Sequence, residues 1–134
     1  MENEIHIPIR SEADIVSARE KGRMLAKQVG FMGSDPTIIA TAISELARNI
    51  LQYAEEGEIV LSPIHHSKVE GILVVARDEG PGIPDVNQVM QIGFTTGKGL
   101  GLGLPGARRL MDEFEITSEV GKGTTVTMKK WCPM

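Results

Sequence analysis

Two stretches rich in β-branched residues, joined by a short polar segment, limit the fold more than any other feature of this sequence. They span residues 58–64 and 72–78 and flank the segment HHSKVEG. The second stretch begins with ILVVA, an uninterrupted apolar run. Such runs, separated by a polar turn, predict a β-hairpin whose second strand is fully buried.

Helices and further strands are predicted on both sides of this hairpin. The alternating isoleucines of IHIPI predict a short strand, and apolar residues at helical spacing predict helices over residues 11–30 and 35–54. The second helix opens with Asp35-Pro36, a strong helix start. A short helix over residues 105–112 and a hairpin formed by EITSEV and TTVTMKK complete the pattern. We expect an α+β fold, a two-layer α/β sandwich with helices on one face of a mixed, mostly antiparallel sheet.

The composition is that of an ordinary globular chain and excludes several classes of function. The sequence has 134 residues, 41% hydrophobic and 24% charged, which predicts one domain over residues 1–134 and excludes disorder. A net charge of -4 and an aromatic content of 4% argue against nucleic acid as a partner. No apolar run approaches the ~20 residues that span a bilayer, so we expect no membrane association. Cys132 is the single cysteine and is expected to be an incidental thiol in a cytoplasmic protein.

A glycine-rich stretch, residues 95–109, has the sequence TTGKGLGLGLPGARR. Gly101, Gly103 and Gly106 have the G-x-G-x-x-G spacing of a dinucleotide-binding turn, which requires a preceding strand and a βαβ unit. Here a polar run precedes these glycines and a hairpin follows, so the pattern does not fit. A P-loop is excluded as well, because Lys98 is not followed by Ser or Thr.

Two interpretations of the glycine-rich stretch remain open. It can be a loop over phosphate groups, because exposed backbone N–H groups and the positive end of a helix beginning near Pro105 attract anions. Lys98 would add a positive charge to such a loop. The stretch can also be a hinge without a ligand. Five glycines within residues 97–106 favour the phosphate loop, although a glycine-rich loop alone is a weak indication.

The segment SELARN of the second helix carries two polar residues four positions apart. Glu45 and Asn49 project from one face, which we expect to lie opposite the apolar stripe. A carboxylate there can accept a proton, and an amide oxygen can ligate Mg²⁺ together with substrate phosphates. Both can equally be ordinary surface residues of a helix. The expected stripe consists of Ile39, Ala42 or Ile43, Leu46, Ile50 and Tyr53.

The segment RDEGPGIP follows directly after the apolar strand. Asp78 at the strand end can accept a hydrogen bond from an exocyclic amine such as that of adenine, and Gly80 and Gly82 allow a base to approach the backbone. A simple turn explains these glycines equally well. The chain carries this segment together with SELARN and the glycine-rich stretch. Their combination favours one nucleotide site formed by all three segments over a separate explanation for each.

In this order the motifs resemble the GHKL superfamily of ATP-binding proteins, which includes gyrase, Hsp90, MutL and histidine kinases. The resemblance covers roughly residues 35–130 and implies the Bergerat fold. It rests on Glu45 with Asn49, on DEGPG, on the glycine-rich stretch and on GKGT in the last hairpin. It implies that ATP and Mg²⁺ are bound, with Asn49 as the metal ligand. The nucleotide-binding residues that it implies are Asn49, Asp78, Gly80, Gly82, Thr96, Gly97, Lys98, Gly99, Gly101, Gly103 and Thr124.

The compact size and the segments SELARNI and GLGLGLPGARRLMDEF make the chain similar to the small serine-protein kinases of bacterial partner switching. That resemblance implies phosphate transfer from ATP to Ser or Thr of a STAS-domain stressosome or antagonist protein, then release and activation of a PP2C-type phosphatase. The alternatives are an anti-sigma factor that sequesters a sigma factor and a binding module in which ATP only sets the conformation. No histidine has the setting of a phosphoacceptor, so Glu45 is placed as general base for a hydroxyl on another protein. Arg48 can orient Glu45, face the γ-phosphate or be solvated.

Overall fold

The described part of the chain forms one β-sheet and four helices. As a computed structural model, the structure describes residues 4–90 and 103–133. Its elements are β1 (Ile5–Ile9), α1 (Glu12–Val29), α2 (Asp35–Ala54), β2 (Gly57–His66), β3 (Val69–Asp78), α3 (Val86–Val89), α4 (Gly103–Leu110), β4 (Glu113–Glu119) and β5 (Gly123–Trp131). None of these helices is long and apolar enough to cross a membrane.

The sheet has the strand order β1-β2-β3-β5-β4, and its neighbouring strands are all antiparallel. β3 therefore lies at the centre and is paired along both edges. Ile72, Val74 and Ala76 on this strand are buried, whereas Leu73 and Val75 are only half-buried. The prediction that ILVVA is fully buried was wrong for these two residues. In the described part of the chain the helices cover one face of the sheet, and neighbouring side chains shield the other face only partly.

Helices α1 and α2 supply most of the layer that covers the sheet. The α2 side chains predicted to form the apolar stripe are at most 2% exposed at Ile39, Ala42, Ile43, Leu46 and Ile50. Tyr53 at the end of that stripe is half-buried. α1 comes close to α2 at Gly22, where an added Cβ would collide with the Ile43 side chain. The prediction of an α+β sandwich with helices on one face is confirmed.

The first hairpin is longer than the sequence predicts. β2 and β3 remain paired out to His66 and Val69, so only Ser67 and Lys68 form the turn. Ser67 has a φ of 58°, in the left-handed region. Pairing continues through the polar segment because the hydrogen bonds of a β ladder join backbone groups and do not require apolar side chains.

Helix α4 begins and ends two residues earlier than predicted, over Gly103–Leu110. Pro105 falls in its first turn, where the lack of an N–H removes no intrahelical hydrogen bond. At the other end, Lys130 donates from Nζ to the Leu110 carbonyl oxygen at 3.1 Å. This side chain satisfies one of the carbonyl groups that a helix end leaves without an intrahelical partner.

His6 on the edge strand β1 lies between two carboxylates. Its Nδ1 is 3.0 Å from Glu58 Oε2, and its Nε2 is 3.1 Å from Glu4 Oε1. The hydrogen bond with Glu58, followed by the one with Glu4, raises the pKa of His6 above its ordinary value of 6.5. A pKa raised by folding gives a stabilising contribution that is fully present below pH 6.5 and is lost as the pH rises through the folded-state pKa.

His6→Gln is therefore expected to lose more stability relative to the parent protein at about pH 6 than at about pH 8. The difference will be small, because the His6 side chain is 51% exposed and its ion pairs are screened by solvent. Urea denaturation midpoints of both proteins at the two pH values measure it. Glu58→Gln should remove most of the same pH dependence. If the midpoints of the parent protein and His6→Gln differed by the same amount at both pH values, the raised pKa of His6 would be contradicted.

Candidate functional site

Glu45 and Asn49 lie one turn apart in the middle of α2. Glu45 is buried at 6% exposure and Asn49 is half-buried, so the expectation of a solvent-facing pair opposite the apolar stripe was wrong for Glu45. The reason is α4, which packs against α2. A buried carboxylate is uncommon unless it is paired or hydrogen-bonded, so the partners of Glu45 indicate what it does.

The Glu45 carboxylate joins α2 to the first residue of α4. Its Oε1 accepts a hydrogen bond from the Gly103 N–H at 3.1 Å and lies 3.5 Å from Arg48 Nη1. Gly103 has a φ of 69°, and a negative charge at a helix N-terminus is favourable. Glu45 therefore lies where the glycine-rich stretch enters α4. Arg48 has the geometry needed to orient Glu45, although its side chain is 40% exposed.

Asp78 and Thr124 lie opposite each other at one end of the neighbouring strands β3 and β5. They are register partners in an antiparallel pair and therefore project from the same face of the sheet. Thr124 is buried at 5% exposure, and Asp78 is half-buried. Asp78 Oδ1 accepts a hydrogen bond from the Gly80 N–H at 3.0 Å, which fixes the orientation of the carboxylate. The end of β3 thus carries an oriented acceptor beside a buried hydroxyl.

Three glycines around this pair are required by packing. A Cβ on Gly80 would lie 2.5 Å from Ala54 Cβ at the end of α2. Gly82 and Gly123 have φ values of 80° and 123°, and a Cβ on either would collide with a backbone carbonyl oxygen of an opposing segment. Close approach of the chain accounts for Gly80 and Gly82 without a ligand. Their contact with a base stays a prediction.

Ser118 on β4 connects Thr124 to the loop after β3, and sequence analysis missed it. Its Oγ accepts a hydrogen bond from the Ile83 N–H at 2.7 Å, donates to the Gly123 carbonyl oxygen at 3.2 Å and lies 2.7 Å from Thr124 Oγ1. A signal was present in the sequence, because counting outward from the GKG turn of the last hairpin pairs residue 118 with residue 124.

The described site residues form two groups along α2. Glu45, Asn49 and Gly103 lie near the middle of the helix, whereas the loop after β3 contacts its last residue, Ala54. Ala54 is nine positions after Glu45. At about 1.5 Å per residue, the two residues are roughly 14 Å apart along the helix axis. The remaining predicted site residues lie outside the described residues: Thr96, Gly97, Lys98, Gly99 and Gly101.

Cys132 is partly buried close to the end of the described chain. Burial, followed by the nearby Glu70 and Asp35 carboxylates, raises the pKa of its thiol. The thiolate is the nucleophilic form of cysteine, and a raised pKa reduces its population at neutral pH. This environment agrees with the interpretation of Cys132 as an incidental thiol.

Comparison with known proteins covers most of the chain. Residues 34–133 match the family described as histidine kinase-, DNA gyrase B-, and HSP90-like ATPase. The chain is 48% identical over 131 residues to the serine/threonine-protein kinase RsbT of Bacillus subtilis (strain 168), with 98% of each chain covered. It is 39% identical over 106 residues to the anti-sigma F factor of Caldanaerobacter subterraneus subsp. tengcongensis, with 72% of this chain and 74% of that relative covered.

Solved structures have the same fold. The RsbU and RsbW domains of a Mycobacterium tuberculosis protein match with a TM-score of 0.67 and 19% identity, covering 97% of this chain and 33% of that one. The chain thus spans about a third of that protein's length. The mycobacterial sensor histidine kinase MprB matches with a TM-score of 0.58 and 16% identity, covering 97% of this chain and 100% of that one. These matches confirm the fold implied by the sequence resemblance.

Proposed function

Because the chain belongs to the histidine kinase-, DNA gyrase B-, and HSP90-like ATPase family, we propose that it is an ATP-dependent serine/threonine-protein kinase that acts on STAS-domain proteins of bacterial partner switching. Its similarity to the B. subtilis serine/threonine-protein kinase extends over 98% of the chain, which supports kinase activity. The observation that carries the proposal is the buried Glu45 carboxylate at the start of α4, one turn from Asn49. The reaction takes place in the cytoplasm, where ATP is available.

ATP binds with its base near Asp78 and its γ-phosphate near Glu45. Glu45 lies on α2, and the loop that follows Asp78 contacts α2 at Ala54. These two points are roughly 14 Å apart along the helix axis, a length that suits an extended nucleoside triphosphate. Asp78, whose carboxylate is oriented by the Gly80 N–H, accepts a hydrogen bond from the adenine amine. Lys98 of the glycine-rich stretch, which lies outside the described residues, would add a positive charge beside the phosphates.

Asn49 would hold Mg²⁺ through its side-chain oxygen. Among residues 4–90 and 103–133, no group of three His, Cys, Asp or Glu side chains could hold a metal ion by itself. A single half-buried amide fits Mg²⁺ that arrives with ATP, because this ion usually binds one or two protein oxygens, several waters and substrate phosphates. Mg²⁺ held there would supply positive charge to the phosphates.

Glu45 accepts the proton of the substrate hydroxyl. The hydroxyl oxygen of a Ser or Thr on the partner forms a bond to the γ-phosphorus of ATP while the bond from that phosphorus to the bridging oxygen breaks, and ADP leaves. The Gly103 N–H and the Arg48 guanidinium hold Glu45 Oε1 in place. Alignment and charge neutralisation provide most of the catalysis, because the transition state of phosphoryl transfer is loose.

Transfer of label from γ-labelled ATP tests this function. Incubated with a STAS-domain partner, the protein should label a Ser or Thr of the partner and leave itself unlabelled. Mass spectrometry of the partner then maps the phosphorylated residue. Tight ATP binding without any transfer would instead support a binding module in which ATP only sets the conformation.

Sequestration of a sigma factor is the second candidate function, favoured by the 39% identity to the C. subterraneus anti-sigma F factor. Binding of the purified chain to a sigma factor, compared with binding to a STAS domain, separates the two. We expect binding to the STAS domain, followed after transfer by release and activation of a PP2C-type phosphatase. Stable capture of the sigma factor without phosphatase activation would contradict this expectation.

Asn49→Ala is expected to abolish the dependence of ATP affinity on Mg²⁺, because alanine has no oxygen to ligate the ion. Isothermal titration with ATP in Mg²⁺ and in EDTA measures this dependence: the parent should bind more tightly in Mg²⁺, and the variant equally in both. Thr37→Ala, at an exposed position near the start of α2, is the matched control and should behave like the parent. An unchanged Mg²⁺ dependence would remove Asn49 from the site.

A further inference from the structure

We propose that Ser118 fixes the direction of the Thr124 hydroxyl, so that Thr124 presents only a hydrogen-bond acceptor to the purine and favours adenine over 6-oxopurines. This inference rests on the proposed function, because it assigns a specificity role within the same nucleotide site. Ser118 is a positioning residue here, since it acts through Thr124.

The hydrogen bonds of Ser118 determine which hydroxyl donates to the other. A serine hydroxyl has one proton to donate and two lone pairs that accept. The Ile83 N–H can only donate to Ser118 Oγ, and the Gly123 carbonyl oxygen can only accept from it. Donation to the Gly123 carbonyl oxygen uses the single Ser118 proton. In the 2.7 Å contact between Ser118 Oγ and Thr124 Oγ1 either hydroxyl could be the donor, and this assignment gives that role to Thr124.

Thr124 is consequently an acceptor toward any other partner. Its single proton points to Ser118, and the remaining lone pairs of Oγ1 lie on the face of the sheet that Thr124 shares with Asp78. The carboxylate of Asp78 is also an acceptor only. Two adjacent acceptors match the exocyclic amine of adenine, which has two hydrogens to donate. The carbonyl oxygen at the same position of a 6-oxopurine would face lone pairs.

Burial makes this arrangement selective. Thr124 is 5% exposed, so water cannot readily satisfy an unmatched group beside it. Ser118 cannot turn away easily, because it joins β4 to both the loop after β3 and the first residue of β5. The direction of the Thr124 proton is thus fixed before a nucleotide binds.

Ser118→Ala tests the proposal through the relative affinity for two nucleotides. ITP differs from ATP only at the 6-position and the adjacent ring nitrogen, so the ratio of its Kd to that of ATP reports recognition of this edge. The parent should prefer ATP, and Ser118→Ala should lower the ratio by roughly tenfold, because the freed Thr124 hydroxyl can now donate to the 6-oxo group. Ser118→Thr keeps the hydroxyl and should keep the ratio. Thr117→Ala, at an exposed position on β4, should also leave it unchanged.

A second variant tests the proposal independently of whether Ser118→Ala folds. Thr124→Val removes the hydroxyl but keeps the shape of the side chain, and it should lower the ratio in the same way. In the Thr124→Val background, Ser118→Ala should have no further effect on the ratio.

The outcomes separate this inference from the proposed function. If the parent binds no ATP, the proposed function fails and the inference fails with it. If the parent prefers ATP but Ser118→Ala weakens ATP and ITP equally, Ser118 has only a structural role and the inference alone is overturned.

Discussion

Glu45→Gln is expected to lower single-turnover phosphate transfer to a STAS-domain partner by roughly 10²- to 10⁴-fold, the contribution typical of a general base. Glutamine keeps the size of the side chain but cannot take the proton of the attacking hydroxyl. Its amide oxygen can still accept the hydrogen bond that the Gly103 N–H donates to Glu45, so the contact between α2 and α4 is retained. Transfer is measured with γ-labelled ATP and excess enzyme.

The Glu45→Gln result separates catalysis from binding. ATP affinity and docking of the partner should change little, since Asn49 and Asp78 are intact. Glu115→Gln, at an exposed position on β4, is the matched control and should transfer phosphate at the parent rate. A fall below about tenfold would mean that alignment of the substrate dominates, as a loose transition state permits. An unchanged rate would exclude Glu45 as the base.

Asp78→Asn should raise the Kd for ATP by roughly 10- to 100-fold, the effect expected when a hydrogen bond to a charged group is lost. The amide has one oxygen and one NH₂ group. If the oxygen keeps the hydrogen bond from the Gly80 N–H, the NH₂ group is turned toward the adenine amine, and two donors meet. If the amide turns around, the Gly80 N–H loses its acceptor instead.

Titration of Asp78→Asn with ATP and GTP checks this prediction. Preference for ATP should weaken together with affinity, because the lost acceptor faces the amine that only adenine carries at that position. Glu79→Gln, at the next and exposed position, is the control for a change of charge and should retain the preference. A variant that distinguishes ATP from GTP as well as the parent does would contradict the adenine assignment.

Local patterns in the sequence predict the hairpins, α1 and α2 because these elements depend on nearby residues. Alternating or helically spaced apolar residues mark the buried face, and Asp35-Pro36 marks the start of α2. Asp78 follows from the same logic, since it lies at the end of a strand next to a recognisable turn, whereas Thr124 was implied only by the family resemblance. Register in a hairpin is counted from its turn.

Contacts between distant parts of the chain could not be predicted in this way. Glu45 was expected on an exposed face, and its burial depends on α4 and on Gly103, 58 positions further along. The contact of Ser118 with the Ile83 N–H likewise joins residues 35 positions apart. Neither contact leaves a periodic signal, because each involves one polar side chain and one backbone N–H.

The central position of β3 has a consequence for how a base would bind. This strand is paired with β2 on one edge and β5 on the other, and Asp78 and Thr124 form the last of its pairs with β5. Backbone in the middle of a sheet opens to solvent less often than loops or edges, so amide hydrogen exchange should be slow along β3 up to Arg77, the residue before Asp78 and the last one paired with β2. A recognition site on such a strand is preorganised, and little conformational entropy is lost when the base arrives. Adenosine without phosphates should therefore find its half of the site already formed.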